Sequence, residues 1–221
     1  FADYQIVKPK YNISNCKFDL LVKNFLGKKK IFKNIIVNLI GKHNILNSVA
    51  AISVCLNLGI KIETIKSALF KFTGVQRRMT KIFEKNKNEF YDDYAHHPTE
   101  INSVLEGIKK VAYKKKITSV FQPHRFSRVN LLKKEFSKSF KFSDRVILCP
   151  VYAAGEKKTN NFNLINFGKM ISLNSGVEVI IIKNEKDFKN FFKKNLIKNE
   201  IIIGMGAGSI SHWMRDLKKT L

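Results

Sequence analysis

Between residues 17 and 40 hydrophobic and polar positions alternate. Phe18, Leu20 and Val22 fall on one side of an extended segment, Gly27 and a lysine run mark a turn, and Ile31 to Ile40 resumes the pattern. A period of two belongs to strands with one buried face, so this stretch reads as a β-hairpin or small meander. Gly41 ends it, and the period changes. Ile45, Val49, Ile52 and Leu56 recur at helical spacing over 44–58, with Gly59 as a stop. A shorter helix over about 62–72 carries Ile65, Leu69 and Phe72, and Gly74 opens a linker over 74–80.

Beyond the linker, strand and helix patterns take turns. A strand ends at Glu89–Tyr91, and Pro98 opens a helix whose stripe is Ile101, Val104, Leu105, Ile108 and Val111. Then come a strand at Ile117–Phe121, a helix at Leu131–Phe142, a strand at Arg145–Cys149 and a helix at 162–173. A strand at Val177–Ile182, a helix at Glu185–Leu196, a strand at Ile201–Ile203 and a helix at 210–219 close the chain. Repeated β-α units with almost continuous apolar strands predict an α/β fold with a doubly wound, mostly parallel sheet. Ligands of such sheets sit at the carboxyl ends of strands. The polar clusters fall there, at 92–97, 122–128 and 152–156.

Composition narrows this picture. At 221 residues, 44% hydrophobic and 26% charged, the chain is neither disordered nor fibrous. No apolar run approaches the roughly 18 residues of a membrane span. The sequence starts at Phe1 and no signal-peptide pattern follows, so it reads as a fragment of a longer protein. Cys16, Cys55 and Cys149 lack metal or disulfide spacing and fit a reducing cytoplasm. The net charge is +24, but it comes from 35 Lys and only 6 Arg, mostly scattered. Nucleic-acid readers favour the arginine fork. The charge therefore reads as a solvated surface with an acidic small-molecule ligand, a basic nucleic-acid-binding module being the alternative.

Five clusters can carry chemistry. G-K-H-N-x-x-N at 41–47 opens a helix and puts His43 and Asn47 on one face, where imidazole and amide can read a planar heterocycle. Helix capping by His43 or Asn44 is the plainer explanation. G-V-Q-R-R at 74–78 places Arg77 and Arg78 in the linker: one can swing onto a phosphate while the other meets a carboxylate, or both can be solvated. Y-D-D-Y-A-H-H-P-T-E at 91–100 joins a strand to a helix; a carboxylate such as Asp93 can accept ribose hydroxyls, and His96 lies in the positive field of a helix start. Neighbouring histidines at 96 and 97 point apart, which argues against zinc. F-Q-P-H-R-F-S-R at 121–128 offers Arg125 and Arg128, able to clamp one carboxylate. The glycine-rich turn G-M-G-A-G at 204–208 lacks full dinucleotide spacing and reads as close backbone packing.

In order, G-K-H-N…N, F-x-G-V-x-R-R, D-D-Y-A-H-H-P-T-E, F-Q-P-H-R-F-S-R, V-Y-A-A-G-E and G-A-G resemble the Mur ligases from about Gly41 to the C-terminus. Among them the pattern is most similar to the members that join L-alanine to UDP-N-acetylmuramate at the expense of ATP, in peptidoglycan precursor synthesis. The members that recycle murein tripeptide share D-D-x-A-H-H-P-T but are not expected to carry Q-P-H-R-x-S-R. They remain an alternative, as does a folylpolyglutamate-type ligase. No G-x-x-G-K-[ST] occurs here. The resemblance therefore implies that residues 1–78 are the end of a P-loop-type ATP-binding central domain, with P-loop and Mg²⁺ ligands upstream and no metal ligand in this chain. Residues 79–221 would be a Rossmann-like, amino-acid-binding C-terminal domain. It implies that His43 and Asn47 contact adenine, Arg77 the ATP phosphates, and Asp93 the ribose, with Tyr94 beside the nucleotide. His96, Arg125 and Arg128 would hold the alanine carboxylate. Lys42, Met79 and Ala153 depart from the commoner Arg, Phe and Pro.

Overall fold

The computed structural model describes residues 2–12, 14–112, 114–157 and 162–221. The chain forms two compact units, Phe1–Gly74 and Val75–Leu221.

The first unit is a three-stranded antiparallel meander, β1 (Tyr4–Tyr11), β2 (Cys16–Phe25) and β3 (Lys28–Val37), carrying α1 (Lys42–Asn57) and α2 (Ile62–Lys71). Phe18, Leu20, Val22, Ile35 and Val37 bury one sheet face against Ile45 and Ile52 of α1 and Ile65 of α2. Each such side chain contributes about 1.5–3 kcal/mol when fully buried. Leu26 (φ 51°) and Gly27 (φ 80°) make the two-residue turn between β2 and β3, where positive φ at both positions matches the strand twist. Strand β1 is an addition to the sequence reading. It is an edge strand with Pro9 and a bulge between Val7 and Lys10, so it shows no clean alternation.

The second unit is built on a six-stranded sheet in the order β4 (Thr80–Lys85), β5 (Asn88–Asp93), β9 (Glu200–Met205), β6 (Lys116–Phe121), β7 (Arg145–Leu148), β8 (Glu178–Ile181). All neighbours are parallel except β4, which pairs antiparallel with β5 through a tight turn at Asn86 and Lys87, both with positive φ. Helices α3 (Pro98–Val111), α4 (Phe126–Leu131), α5 (Lys133–Ser137) and α6 (Leu164–Ser175) pack on one face. Helices α7 (Glu185–Asn195) and α8 (Ile210–Thr220) pack on the other. Successive β9 residues feed opposite cores, Ile201 and Ile203 to one and Ile202 to the other. That two-sided burial explains why these strands are apolar throughout. Phe90, Phe121, Phe136, Phe140, Phe167, Phe188 and Phe192 are fully buried, so these aromatics form the core and not an exposed stacking surface.

One element differs from its expected limits. In place of a helix over Leu131–Phe142 there are two short ones, α4 starting at Phe126 and α5 ending at Ser137, separated by Leu132 (φ −110°, ψ 25°). Past Ser137 the serine hydroxyls take the carbonyls that would continue the helix: Ser137 Oγ donates to Lys134 O and Ser139 Oγ to Glu135 O, both at 2.8 Å.

Candidate functional site

In the first unit, Gly41 (φ 100°) is the N-cap of α1. A Cβ there would lie 2.9 Å from His43 Cε1, so the imidazole folds back over a position that only glycine leaves open. Gly41 has no side chain with which to cap α1, and Asn44 Nδ2 donates backwards to Ile40 O at 2.8 Å. Asn47 is exposed one turn beyond His43, and among the described residues its side chain makes no hydrogen bond.

In the second unit the linker arginines are already engaged. Arg77 Nη2 donates to Gly206 O at 2.6 Å, and its Nε lies 3.8 Å from Asp92 Oδ1. Asp92 is completely buried and also meets Ser211 Oγ at 2.5 Å and Arg215 Nη2 at 3.1 Å. A buried carboxylate needs such partners, and Arg77 thus takes the carboxylate-pairing place that the sequence left open to either linker arginine. The Arg77 guanidinium also stacks 4.7 Å from the centre of the Tyr94 ring. Arg78 is more open, with Nη1 3.8 Å from Glu100 Oε1.

Asp93 is 1% exposed. Its two oxygens accept from Met79 N at 2.8 Å and Ala95 N at 2.7 Å, which ties the linker to the end of β5. Burial pushes its carboxyl up to about 6, against these two hydrogen bonds, which lower it.

The remaining residues converge. His96 and His124 have ring centres 5.8 Å apart; Tyr94 lies edge-on to His96 at 5.1 Å, and Tyr152 stacks on His124 at 5.5 Å. Arg128 Nη1 meets His124 Nδ1 at 3.4 Å. Burial, followed by the charges of Arg128, His96 and Arg125, holds the His124 imidazole below its ordinary pKa and favours its neutral form. His96 Nδ1 lies 2.9 Å from Tyr94 O. A carbonyl only accepts, so Nδ1 carries the hydrogen. The ring then presents Nε2 as an acceptor when neutral and as a donor to a carboxylate only when protonated. Arg125 is exposed at the N-cap of α4 with φ 67°. The strand ends thus gather His96, Arg128 and Tyr94, with Arg125 at the start of the same short helix as Arg128.

Several participants carried no role in the sequence reading. His124 lies inside Q-P-H-R and Tyr152 and Glu156 inside V-Y-A-A-G-E, but which loop touches which depends on the order of strands. Gln122 is another. Its Oε1 accepts from Ile210 N at 3.0 Å at the start of α8. A Cβ on Gly206 would sit 2.7 Å from Gln122 O, and one on Gly208 2.5 Å from Gln122 Oε1. Close backbone packing is therefore the reason for that glycine run.

The sequence model described as "Mur ligase, glutamate ligase domain" matches residues 77–208. The chain belongs to the Mur ligase family. The UDP-N-acetylmuramate–L-alanine ligase of Pelagibacter ubique is 44% identical over 221 residues, covering 100% of this chain and 47% of that protein. The one from Ruthia magnifica is 37% identical and covers 99% and 46%. The crystal structure of the UDP-N-acetylmuramate-alanine ligase from Thermotoga maritima superposes with a TM-score of 0.78 at 26% identity, covering 98% of this Mur ligase chain and 45% of that one. A murein peptide ligase from Psychrobacter arcticus, at 20% identity and a TM-score of 0.68, shares the fold. This Mur ligase chain thus spans about half the length of the curated relatives it matches. Among the described residues no helix is long and apolar enough to cross a membrane.

Proposed function

We propose that this chain is part of a ligase that joins L-alanine to UDP-N-acetylmuramate with ATP, in cytoplasmic synthesis of peptidoglycan precursor. Residues 1–78 would close its ATP-binding domain and 79–221 would bind the amino acid. The observation that carries the reading is the meeting of His96, His124 and Arg128 at the carboxyl ends of β5 and β6, with the exposed Arg125 beside them. A compact cationic site of this kind suits a small free amino acid, and three of the relatives named above are named as alanine ligases.

The chemistry asks for positioning. A muramate carboxylate oxygen attacks the γ-phosphorus of ATP, ADP leaves, and an acyl phosphate forms. The alanine amine, having lost a proton, attacks the acyl carbon, and inorganic phosphate leaves with the C–O bonding electrons. Holding alanine by the carboxylate that does not react brings its amine within about 3.5 Å of the acyl carbon, which converts a bimolecular step into an internal one. Arg125 and Arg128 supply the charged donors for that grip, joined by His96 when protonated. On the nucleotide side, His43 and Asn47 would read adenine, and Arg77 with Tyr94 would face phosphate and base. Asp93 keeps lone pairs beyond the two used by backbone amides and could accept from ribose. Mg²⁺ bound by the remainder of the enzyme would neutralise phosphate charge.

Arg125→Ala in the ligase containing this chain tests the reading. The alanine KM rises by roughly 10- to 150-fold, the equivalent of losing a charged hydrogen bond of about 1.5–3 kcal/mol, while the ATP KM stays within about twofold. Unchanged alanine kinetics would remove the assignment.

A further inference from the structure

The last residue of V-Y-A-A-G-E does something the motif does not announce. Glu156 lies 29 positions beyond Ser127, yet its carboxylate accepts from Ser127 N at 3.0 Å and from Ser127 Oγ at 2.5 Å. Ser127 is the second residue of α4, so its amide is one of those a helix start leaves unpaired. The N-cap residue, Arg125, offers no acceptor of its own, and Glu156 fills that place from another loop. These bonds hold its carboxyl below the usual carboxylate range, so it is ionised at neutral pH, the charge that a helix N-terminus favours.

The same two loops meet at two further hydrogen bonds. Arg125 N donates to Tyr152 O at 2.9 Å and Tyr152 N donates to Pro123 O at 2.8 Å, the pair that bridges His124 to Tyr152 in parallel register. Between these contacts and the Glu156 cap sits Arg125 at φ 67° and ψ 130°, a conformation that a bulky, non-glycine residue adopts only when its surroundings enforce it. Helix α4 has six residues and cannot enforce it unaided, since helices this short do not hold themselves together in water.

We propose that Glu156 is a positioning residue for the amino-acid clamp: by capping α4 from the neighbouring loop, it keeps Arg125 in its strained backbone state and Arg128, one turn on, at the matching distance. The proposal rests on the reading of Arg125 and Arg128 as the carboxylate clamp. Without the cap the first turn of α4 frays, Arg125 relaxes to negative φ, and its guanidinium swings off the site. Glu156 itself touches no substrate.

The test is steady-state kinetics of the ligase containing this chain, with alanine and ATP varied separately. Glu156→Ala raises the alanine KM by about 10- to 100-fold, the range expected for a catalytic or binding group displaced by about 1 Å, and leaves the ATP KM within about twofold. Glu156→Gln, whose amide oxygen still accepts from Ser127 N, recovers most of the loss. In the Arg125→Ala background, Glu156→Ala raises KM by a smaller factor than it does alone, because part of its action runs through Arg125. A lower melting temperature with alanine KM unchanged would make Glu156 a merely structural cap and overturn the proposal. So would multiplicative effects in the double variant, or a Gln variant no better than Ala. If Arg125→Ala alone leaves the alanine KM unmoved, the clamp reading fails and the positioning role falls with it. If Arg125→Ala raises it and Glu156→Ala does not, only the positioning role is lost.

Discussion

The two edges of the parallel sheet solve opposite problems with the same residue types. At the amino-terminal edge, Glu200 is 1% exposed and every group around it is turned inward: Arg145 Nη2 at 3.1 Å, Thr118 Oγ1 at 2.9 Å and Ile197 N at 3.2 Å all donate to it. Asn88 Oδ1 accepts from the Glu200 amide, and the Arg145 guanidinium lies over Phe191. At the carboxyl-terminal edge, Arg125 is exposed, Tyr94 and Tyr152 are 36% and 41% exposed, and Arg77, Met79, Arg125 and Ala154 hold positive φ. Positive φ alone does not separate the edges, because Asn86, Lys87, Lys114 and Asn199 hold it at the amino-terminal ends of the strands. What separates them is the buried carboxylate of Glu200, enclosed by donors of the fold, against an exposed guanidinium, Arg125, held by a backbone conformation that costs roughly 1–3 kcal/mol.

The largest effect that can separate these edges is in stability. Arg145→Ala leaves the Glu200 carboxylate buried without its charge partner and destabilises the 221-residue chain by about 3–5 kcal/mol in urea unfolding. Arg125→Ala removes an exposed side chain and changes stability by less than about 0.5 kcal/mol. Comparable losses from both would erase the distinction between structural and binding edges.

A middle-sized effect joins packing to binding. Gly208→Ala introduces a Cβ 2.5 Å from Gln122 Oε1 and 2.5 Å from Tyr152 Cγ. Overpacking there costs about 1–3 kcal/mol. Because Tyr152 stacks on His124, the displaced ring carries the alanine site with it, and the alanine KM rises alongside the fall in melting temperature. A stability loss with intact alanine kinetics would mean that Tyr152 is only a bystander.

The same contrast governs what could be read from sequence. Strands β6, β7 and β9 were legible because both faces are buried and their runs are apolar throughout, and α3 because its stripe and Pro98 coincide. Edge strands β1 and β4 were not: one carries Pro9 and a bulge, the other is a half-buried hairpin arm. Helix α4 began five residues earlier than its apolar spacing suggested, since what starts it is Glu156, 29 positions beyond Ser127. In the candidate site, residue types and motif order pointed to Arg125, Arg128 and His96. The bond from Arg77 to Gly206 O depends on β9 lying beside β5, and the Tyr152–His124 stack on β7 lying beside β6, a strand order that local pattern does not encode.

The smallest effect concerns two carboxylates of the carboxyl edge with similar bonding and opposite behaviour. Asp93 and Glu156 each accept two short hydrogen bonds, with a backbone amide among the donors in both cases. Hydrogen bonds of this kind favour the ionised form, and they hold Glu156 below its ordinary range. In Asp93 burial outweighs them and lifts the carboxyl from 3.8 to about 6. The linkage follows from proton counts. Below about pH 4 native and unfolded chains both hold the proton. Between about 4 and 6 the unfolded chain has released it while the native chain has not, so the stability Asp93 contributes declines as pH rises through that window. A ¹³C NMR titration of the Asp93 side-chain carboxyl in the 221-residue chain gives a midpoint near 6, and that of Glu156 lies below the normal glutamate value. Asp93→Asn flattens the pH dependence of unfolding between 4 and 6 while Glu156→Gln does not. An Asp93 midpoint near 4 would mean that the backbone bonds dominate over burial, and that this aspartate is already fully ionised whenever a ribose hydroxyl approaches it.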